Sequence, residues 1–232
     1  MPSSMREITF PLSKPQQRLL DAAEQLFAER GFETVSVRDI TGKVKANVAS
    51  INYHFMNRES LIALVVTHRL GPVIKERLAR FEAVEKKWAG RGAPLEEILE
   101  ALIRPLASNV RKSDLPEPLR CQLLGRILAG QGVVFPKEVE QDMANGRHRF
   151  IKLLAKALPS VPNEDLVWKV QFINGGIIQL LSGQDLASGE HGYQQTIEPI
   201  LGRFIRFCAA GLREGVPPET TAKKGPQATF DF

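Results

Sequence analysis

The segment 35–60 constrains this chain more than any other, because its residues mark two short helices with a tight turn between them. Ser36 is followed three residues later by Asp39, the spacing of a capping box, in which each side chain accepts a hydrogen bond from the other residue's backbone amide. Ile40 and Val44 are four residues apart, so they share one apolar face. The pattern predicts a short helix that packs on its neighbours through that face.

A second short helix is expected after a turn at 45–47. Asn47 is a favourable N-cap residue, and Ile51 and Phe55 lie on one face because they are four residues apart. With about 100° of rotation per residue, the remaining positions point away from that face or lie on its flanks. These positions hold small and polar side chains: Ala49, Ser50, Asn52 and Tyr53.

The outward residues have the chemistry of a helix that contacts DNA. An asparagine such as Asn52 can form two hydrogen bonds with adenine, and small apolar side chains can pack on thymine methyl groups. Tyr53, His54 and Arg58 suit contacts with phosphates, which fix position rather than sequence. The segment 36–58 has a charge of +3, since four basic residues face one aspartate, within a chain total of +5. An ordinary helical hairpin with a solvated basic face is the alternative that these residues alone leave open.

A longer helix is predicted before this segment, at 13–31. Ser13 and Gln16 have capping-box spacing at its start, and Gly31 follows its last turn as a C-terminal glycine. An apolar stripe runs along this helix through Leu19, Ala23, Leu26 and Phe27.

A resemblance to a known family is carried by the runs LLDAAEQLFAERGFETVSVRDIT, INYHF and NRESLIALVV. Over about 13–68, the chain resembles the N-terminal DNA-binding domain of the TetR/AcrR family of ligand-responsive repressors. The resemblance implies a three-helix domain, with 36–44 as the supporting helix and 47–55 as the recognition helix. It also implies phosphate contacts by His54 and Arg58. The residues predicted to contact DNA are Ser36, Arg38, Lys45, Asn47, Val48, Ala49, Ser50, Asn52, Tyr53, His54 and Arg58.

Three residues depart from the family pattern. Where the family usually has Ala, Ala and Gly, this chain has Thr41, Val44 and Lys45. A lysine at the turn costs about 1 kcal/mol if the position needs a positive φ, because it lacks the freedom of glycine. The same lysine adds a cation next to the DNA.

The whole chain is predicted to be all-α, with a small head joined to a larger unit. It has 232 residues, of which 43% are hydrophobic, and no β-alternation competes with the helical periodicity beyond 57. The expected domains are a flexible N-terminal arm at 1–12, a helix-turn-helix domain at 13–70, a helical ligand-binding and dimerisation domain at 71–214, and a disordered tail at 215–232. Beyond residue 56, helices are expected at 57–71, 73–88, 94–112, 117–130, 136–158, 163–186 and 194–214.

Several classes of protein are disfavoured by motifs that the chain lacks. It has no run of eighteen apolar residues and no apolar core of a signal peptide, so a cytoplasmic protein without a membrane partner is expected. Cys121 and Cys208 each lie in an apolar helical context, which favours buried thiols over a disulfide. The four histidines stand outside any HExxH, Cys/His, GxSxG or phosphate-loop motif, so no catalytic residue, metal site or cofactor is predicted.

The last two predicted helices are unusually apolar. A buried monomer core is one explanation, and Gly175-Gly176 permits a close backbone approach. The family resemblance implies another, a homodimer that packs two C-terminal helices from each chain into a four-helix bundle. A two-fold dimer presents two recognition helices about 34 Å apart, which predicts a palindromic operator in double-stranded DNA. The predicted dimerisation residues are Ile173, Ile177, Ile197, Leu201, Phe204, Ile205 and Cys208.

A few polar residues interrupt the apolar middle helices and are candidates for ligand binding. Arg126 has aliphatic neighbours on both sides, so an anionic partner is expected, either a protein carboxylate or a bound ligand. The runs LLGRILAGQ and KVQFINGGIIQLLSG resemble the ligand domain of the branch that includes regulators of fatty-acid metabolism, which implies a largely apolar, acyl-type small-molecule effector. The candidate ligand-binding residues are Arg104, Gln122, Arg126, His148, Gln171 and Asn174.

These features together predict a dimeric, ligand-responsive repressor that binds a palindromic operator and is released by its effector. The alternative is a helical ligand-binding or interaction protein that has lost specific DNA binding. Salt-sensitive binding to one DNA sequence separates these possibilities, since a degenerate protein should bind weakly and without preference.

Overall fold

The computed structural model describes residues 12–89, 91–110, 115–182 and 196–214. Within these ranges the chain forms nine α-helices and no strand, which confirms the predicted all-α class. The helices are α1 (Lys14–Arg30), α2 (Val37–Lys43), α3 (Ala49–Phe55), α4 (Arg58–Lys87), α5 (Leu95–Val110), α6 (Glu117–Ala129), α7 (Lys137–Ala157), α8 (Asn163–Ser182) and α9 (Ile197–Arg213).

Some sequence predictions lie outside the described residues. The predicted arm at 1–12 is among them except for Leu12, and so is the predicted tail at 215–232. The same holds for the parts of the predicted helices at 111–112, 183–186 and 194–195.

Helices α1 to α3 and the first half of α4 form the part that we call the head. Both predicted capping boxes are present, at the starts of α1 and α2. The rings of Phe27 and Phe32 stack with their centroids 4.6 Å apart. Ile40, Ile51 and Phe55 are buried beside them, so the apolar faces of α2 and α3 turn inward as predicted.

Helix α4 passes through the predicted break at Gly71-Pro72. The expected end near 71 and the new helix over 73–88 are therefore wrong. A proline inside a helix costs about 3 kcal/mol. Leu70 and Val73, on either side of it, are completely buried. Burying an aliphatic side chain contributes about 1.5–3 kcal/mol, so packing on both sides outweighs the proline.

The second half of α4 and helices α5 to α9 form the body. Its core includes the rings of Phe81 in α4 and Phe150 in α7, whose centroids are 6.0 Å apart. Both cysteines are buried, as predicted. Burial raises the pKa of the Cys121 thiol to about 12 and that of the Cys208 thiol to about 11, so both stay protonated at neutral pH.

Two glycines let helices of the body approach closely. A Cβ atom at Gly125 of α6 would lie 2.8 Å from the backbone nitrogen of Ser182 in α8. A Cβ atom at Gly176 of α8 would lie 2.6 Å from the ring of Phe204 in α9. The close approach predicted at Gly175-Gly176 is therefore found at Gly176, whereas Gly175 has no such neighbour within 4 Å.

Within the head, α1 is held to α4 by a buried carboxylate. Glu24 of α1 is completely buried. Arg69 of α4 donates to it from Nε over 2.8 Å and from a second guanidinium nitrogen. The Nδ1 atom of His68 lies 2.8 Å from the same carboxylate.

In the described part of the chain, no helix is both long and apolar enough to cross a membrane.

Candidate functional site

The turn between α2 and α3 has the backbone conformation that a glycine would favour. Lys45 has φ of 55°, in the left-handed region. The turn is closed by a hydrogen bond of 2.9 Å from the Ala46 amide to the Thr41 carbonyl. Arg18 of α1 adds a hydrogen bond of 3.2 Å to the carbonyl of Val44. The cost expected for lysine at this position therefore applies, and α1 helps to hold the turn in place.

Asn47 caps α3 through its side chain. Its Oδ1 accepts a hydrogen bond of 2.9 Å from the Ala49 amide. Helix α3 begins at Ala49, two residues after the predicted cap, because Val48 belongs to the capping turn. The Asn47 side chain thus has a structural role at the base of the helix.

Helix α3 points a nearly continuous exposed face to solvent. Tyr53 is 86% exposed and Val48 is 43% exposed, whereas Ile51 and Phe55 on the opposite face are buried. Ala49 and Asn52 are exposed, and Ser50 and His54 are partly buried at the flanks. The predicted division between inward and outward residues is confirmed. The outward residues are free to contact a partner molecule.

The start of α2 lies beside this face. Ser36 is exposed, and its Oγ accepts a hydrogen bond of 3.2 Å from the Asp39 amide. The same hydroxyl holds the pKa of the Asp39 carboxyl below its ordinary value. Arg38 and Lys43 of α2 and Lys45 of the turn are exposed as well, so three exposed cations precede α3 along the chain.

Arg58 has a different position from the one predicted. Its Nε donates a hydrogen bond of 3.0 Å to the carbonyl of Val35, and a second guanidinium nitrogen donates to the carbonyl of Phe32. The guanidinium therefore ties the start of α4 to the loop between α1 and α2. Because these carbonyls occupy it, we correct the assignment of Arg58 as a phosphate contact and assign it to the interior of the head.

Helices α4 to α8 enclose a cavity of about 300 Å³ in the body. Gln171 and Asn174, two of the predicted ligand-binding residues, line it. Its apolar wall includes Phe81 and Phe150. Gln171 is exposed and Asn174 is partly buried, and the charged residues Arg77, Asp142 and Arg147 also line the cavity.

The other four predicted ligand residues do not line this cavity, and that part of the prediction is corrected. Arg104 is paired with Glu100 and Glu198 between α5 and α9. His148 is exposed on α7. Gln122 and Arg126 line a separate pocket where the head meets the body. Spacing along single helices could not distinguish these surroundings.

Arg126 finds its partner in the backbone of α1. Its Nε donates a hydrogen bond of 3.1 Å to the carbonyl of Ala28, and Nη2 lies 3.5 Å from the carbonyl of Glu29. The last carbonyls of a helix carry partial negative charge. An anionic partner was expected, and the C-terminus of a helix takes that place.

Arg77 of α4 lines the cavity and was missed by the sequence analysis. It is partly buried, and its Nε donates a hydrogen bond of 2.7 Å to the carbonyl of Leu102 in α5. The signal was its spacing, since Arg77 lies three residues after Ile74 and four before Phe81, both buried. That spacing places it on the inward face of α4.

The seven residues predicted for dimerisation lie within the single chain. Six of them are buried and Phe204 packs partly buried against Gly176. Side chains buried in their own chain are not available to a partner, so the choice of these residues is corrected. The residues withdrawn from the predicted interface are the six buried ones, Ile173, Ile177, Ile197, Leu201, Ile205 and Cys208, together with Phe204, which packs on Gly176. The exposed large apolar side chains of α8 and α9 are Val167, Trp168, Phe172 and Phe207.

Comparison with known protein families agrees with this arrangement. A model described as bacterial regulatory proteins, tetR family, matches residues 19–65, which include α2 and α3. A model described as tetracyclin repressor-like, C-terminal domain, matches residues 100–211. The chain belongs to the TetR family. The two matches together cover more than half of its 232 residues.

Curated relatives match this TetR-family chain over a short stretch. An HTH-type transcriptional repressor of Mycobacterium tuberculosis is 40% identical over 50 residues, which are 22% of this chain and 27% of the relative. An HTH-type transcriptional regulator of Mycobacterium bovis matches with the same figures. The alignment therefore spans about a quarter of the length of these relatives.

Solved structures share the fold over most of the chain. The fatty acid degradation regulator FadR of Bacillus halodurans has a TM-score of 0.53 at 15% identity, covering 88% of this chain and all of that one. The ketosteroid transcriptional regulator KstR2 of Mycobacterium tuberculosis has a TM-score of 0.55 at 16% identity, covering 87% of this chain and 96% of that one. At such identities the likeness establishes a common fold.

Proposed function

We propose that this chain is a cytoplasmic transcriptional regulator that binds double-stranded DNA as a homodimer. It represses by occupying a palindromic operator and is released by a small, largely apolar effector, of which an acyl compound is the first example to test. The observation that carries this proposal is the exposed face of α3, where Tyr53 is 86% exposed beside a capped, positively charged turn. Tyr53, Asn52 and Ala49 are exposed together on this face, so they are accessible to a partner molecule.

The residues around α3 divide into two groups in this proposal. Asn52 and Tyr53 point outward and read bases, with Ala49 and Val48 against the groove wall. The exposed cations Arg38, Lys43 and Lys45, together with His54, contact phosphates and position the head. Ser36 and Asn47 support the interface as caps.

The proposed dimer uses the exposed apolar face of α8 and α9. The Trp168 and Phe172 rings lie 6.3 Å apart between centroids on α8, and Phe207 is 75% exposed on α9. Contiguous exposed aromatic surface of this kind is typical of a protein interface. A two-fold axis through this face pairs two recognition helices with half-sites about one DNA turn, or 34 Å, apart.

Helix α4 is the proposed connection between the effector and the DNA. Its first turns hold Arg58 in the head, and its later turns place Arg77 and Phe81 on the cavity. Phe81 lies 23 residues after Arg58, which is about 35 Å along a continuous helix. An effector that binds unequally to two positions of α4 shifts the separation of the two recognition helices and releases the operator.

Selection of bound duplexes from a random DNA library tests this function. The purified full chain should recover a palindrome, and binding to the recovered duplex should weaken steeply as salt is raised. Recovery of unrelated sequences with weak, unselective binding would contradict the proposal and favour a helical ligand-binding protein. A parallel selection with Tyr53→Ala in α3 is the control, because it should lose the palindrome while keeping the fold.

A further inference from the structure

The body cavity contains a cation without a carboxylate partner. Arg77 reaches it from α4 and donates to one carbonyl, that of Leu102, over 2.7 Å. No carboxylate of the described residues forms an ion pair with Arg77, so part of its guanidinium faces the cavity unmatched.

Two other partly buried arginines of the body differ in this respect. Arg149 of α7 donates two hydrogen bonds, of 3.1 and 2.6 Å, to the Glu85 carboxylate. Arg104 of α5 is paired with Glu100 and Glu198. These carboxylates raise the pKa of both arginines, whereas burial without a carboxylate lowers the pKa of Arg77 to about 10. Carboxylates of the chain therefore pair with Arg104 and Arg149, whereas no carboxylate of the described residues pairs with Arg77.

The lining of the cavity defines which anion fits. Arg77 and Arg147 contribute positive charge and Asp142 contributes negative charge, so the lining is positive by one. A dianion would leave one charge unpaired beside Asp142, which is unfavourable in a space of low polarity. A monoanion matches the single net positive charge of the lining residues. Phe81 and Phe150 supply an apolar wall next to it.

We propose that the cavity binds a small monocarboxylate whose apolar chain or ring packs on the aromatic wall and whose carboxylate pairs with Arg77. A guanidinium can bind a carboxylate through two parallel hydrogen bonds, which gives both affinity and orientation. The cavity volume of about 300 Å³ lies at the lower end of the range for ligand sites, which favours a small molecule. This inference rests on the proposed function, because it specifies the chemistry of the effector.

Paired probes test the inference on the full chain without DNA. Decanoate and phenylbutyrate, each compared with its neutral alcohol, are titrated by calorimetry at neutral pH. The wild-type chain should bind at least one acid about tenfold or more tightly than its alcohol, since the charged hydrogen bonds are made only by the acid. Arg77→Gln should remove that preference while the alcohol still binds, and Arg77→Lys should keep part of it.

Arg80→Gln is the matched control, because Arg80 lies on the same helix but pairs with Glu76 outside the cavity. It should leave the preference unchanged. Equal binding of acid and alcohol by the wild-type chain, absence of binding by both acids, or an Arg77→Gln chain that keeps the preference would each overturn the inference. Binding of the alcohol by Arg77→Gln shows that the cavity is folded.

The same preparations separate this inference from the proposed function. Selective, salt-dependent DNA binding without any acid preference would support the proposed function and contradict the monocarboxylate site. An acid preference that depends on Arg77, without selective DNA binding, would support the monocarboxylate site and contradict the proposed function.

Discussion

The Nε atom of Arg126, in α6 of the body, donates a hydrogen bond of 3.1 Å to the carbonyl oxygen of Ala28, in the last turn of α1. The final carbonyls of a helix lack partners within the helix and carry partial negative charge. A single side chain of the body therefore completes the end of the first helix of the head. This contact makes the stability of the head depend on the position of α6.

Replacement of Arg126 by Gln should loosen this connection. We expect the free energy of unfolding to fall by about 1–2 kcal/mol, because one charged hydrogen bond and a favourable helix-end charge are lost. Urea denaturation followed by circular dichroism measures the change. Arg206→Gln is the control, since Arg206 is exposed on α9, and it should change stability little. An equal loss in the two variants would argue against a special role for Arg126.

Lys45→Gly should stabilise the head. The left-handed backbone at Lys45, with φ of 55°, suits glycine, so we expect a gain of up to about 1 kcal/mol in the free energy of unfolding. Lys43→Gly removes the same charge two residues earlier, but within helix α2 it should cost about 1 kcal/mol. Both variants should lower the salt dependence of DNA binding alike. A loss of stability in Lys45→Gly would show that the turn favours lysine for another reason.

Arg58→Gln should act on the fold of the head. Its guanidinium satisfies the carbonyls of Phe32 and Val35, and their loss of a donor should cost about 1–3 kcal/mol in the free energy of unfolding. Arg38→Gln, at an exposed cation, should leave stability unchanged and reduce the slope of affinity against salt by about one. If Arg58→Gln kept full stability and reduced the salt slope instead, the phosphate role first expected for Arg58 would be restored.

Phe172→Glu should cause the proposed dimer to dissociate into monomers. Phe172 is 71% exposed on α8 and adjoins Trp168, so a carboxylate there would place an unpaired charge in an apolar interface. Analytical ultracentrifugation should show a dimer for the wild-type chain and a monomer for the variant. Val134→Glu places the same charge at an exposed apolar residue away from α8 and α9 and should remain a dimer. A wild-type monomer at all concentrations would contradict the proposed interface.

The sequence predicted most reliably the features that depend on neighbouring residues. The capping boxes at Ser13 and Ser36 and the inward face of α3 need only residues within a few positions of one another, and all are found. The break at Pro72 was wrong because α4 is held by contacts with helices far away in the sequence. Local propensity could not reveal that packing.

The partners of charged side chains were harder to predict for the same reason. Arg126 meets the end of a helix almost a hundred residues earlier, and Arg58 meets carbonyls of the loop before α2. Arg77 was missed because its cavity is built by five helices, an arrangement that spacing along one helix does not show. Its position between Ile74 and Phe81 was the only local sign of an inward side chain.

The most direct measurement of the central claim is the affinity of the wild-type and Asn52→Ala chains for the selected operator and for duplexes changed at single base pairs. If α3 reads the sequence, Asn52→Ala should lose about 1–3 kcal/mol on the operator and bind all four base pairs equally at one position of each half-site. Preferences elsewhere in the half-site should remain. An Asn52→Ala chain that keeps the wild-type preference at every position would contradict the account.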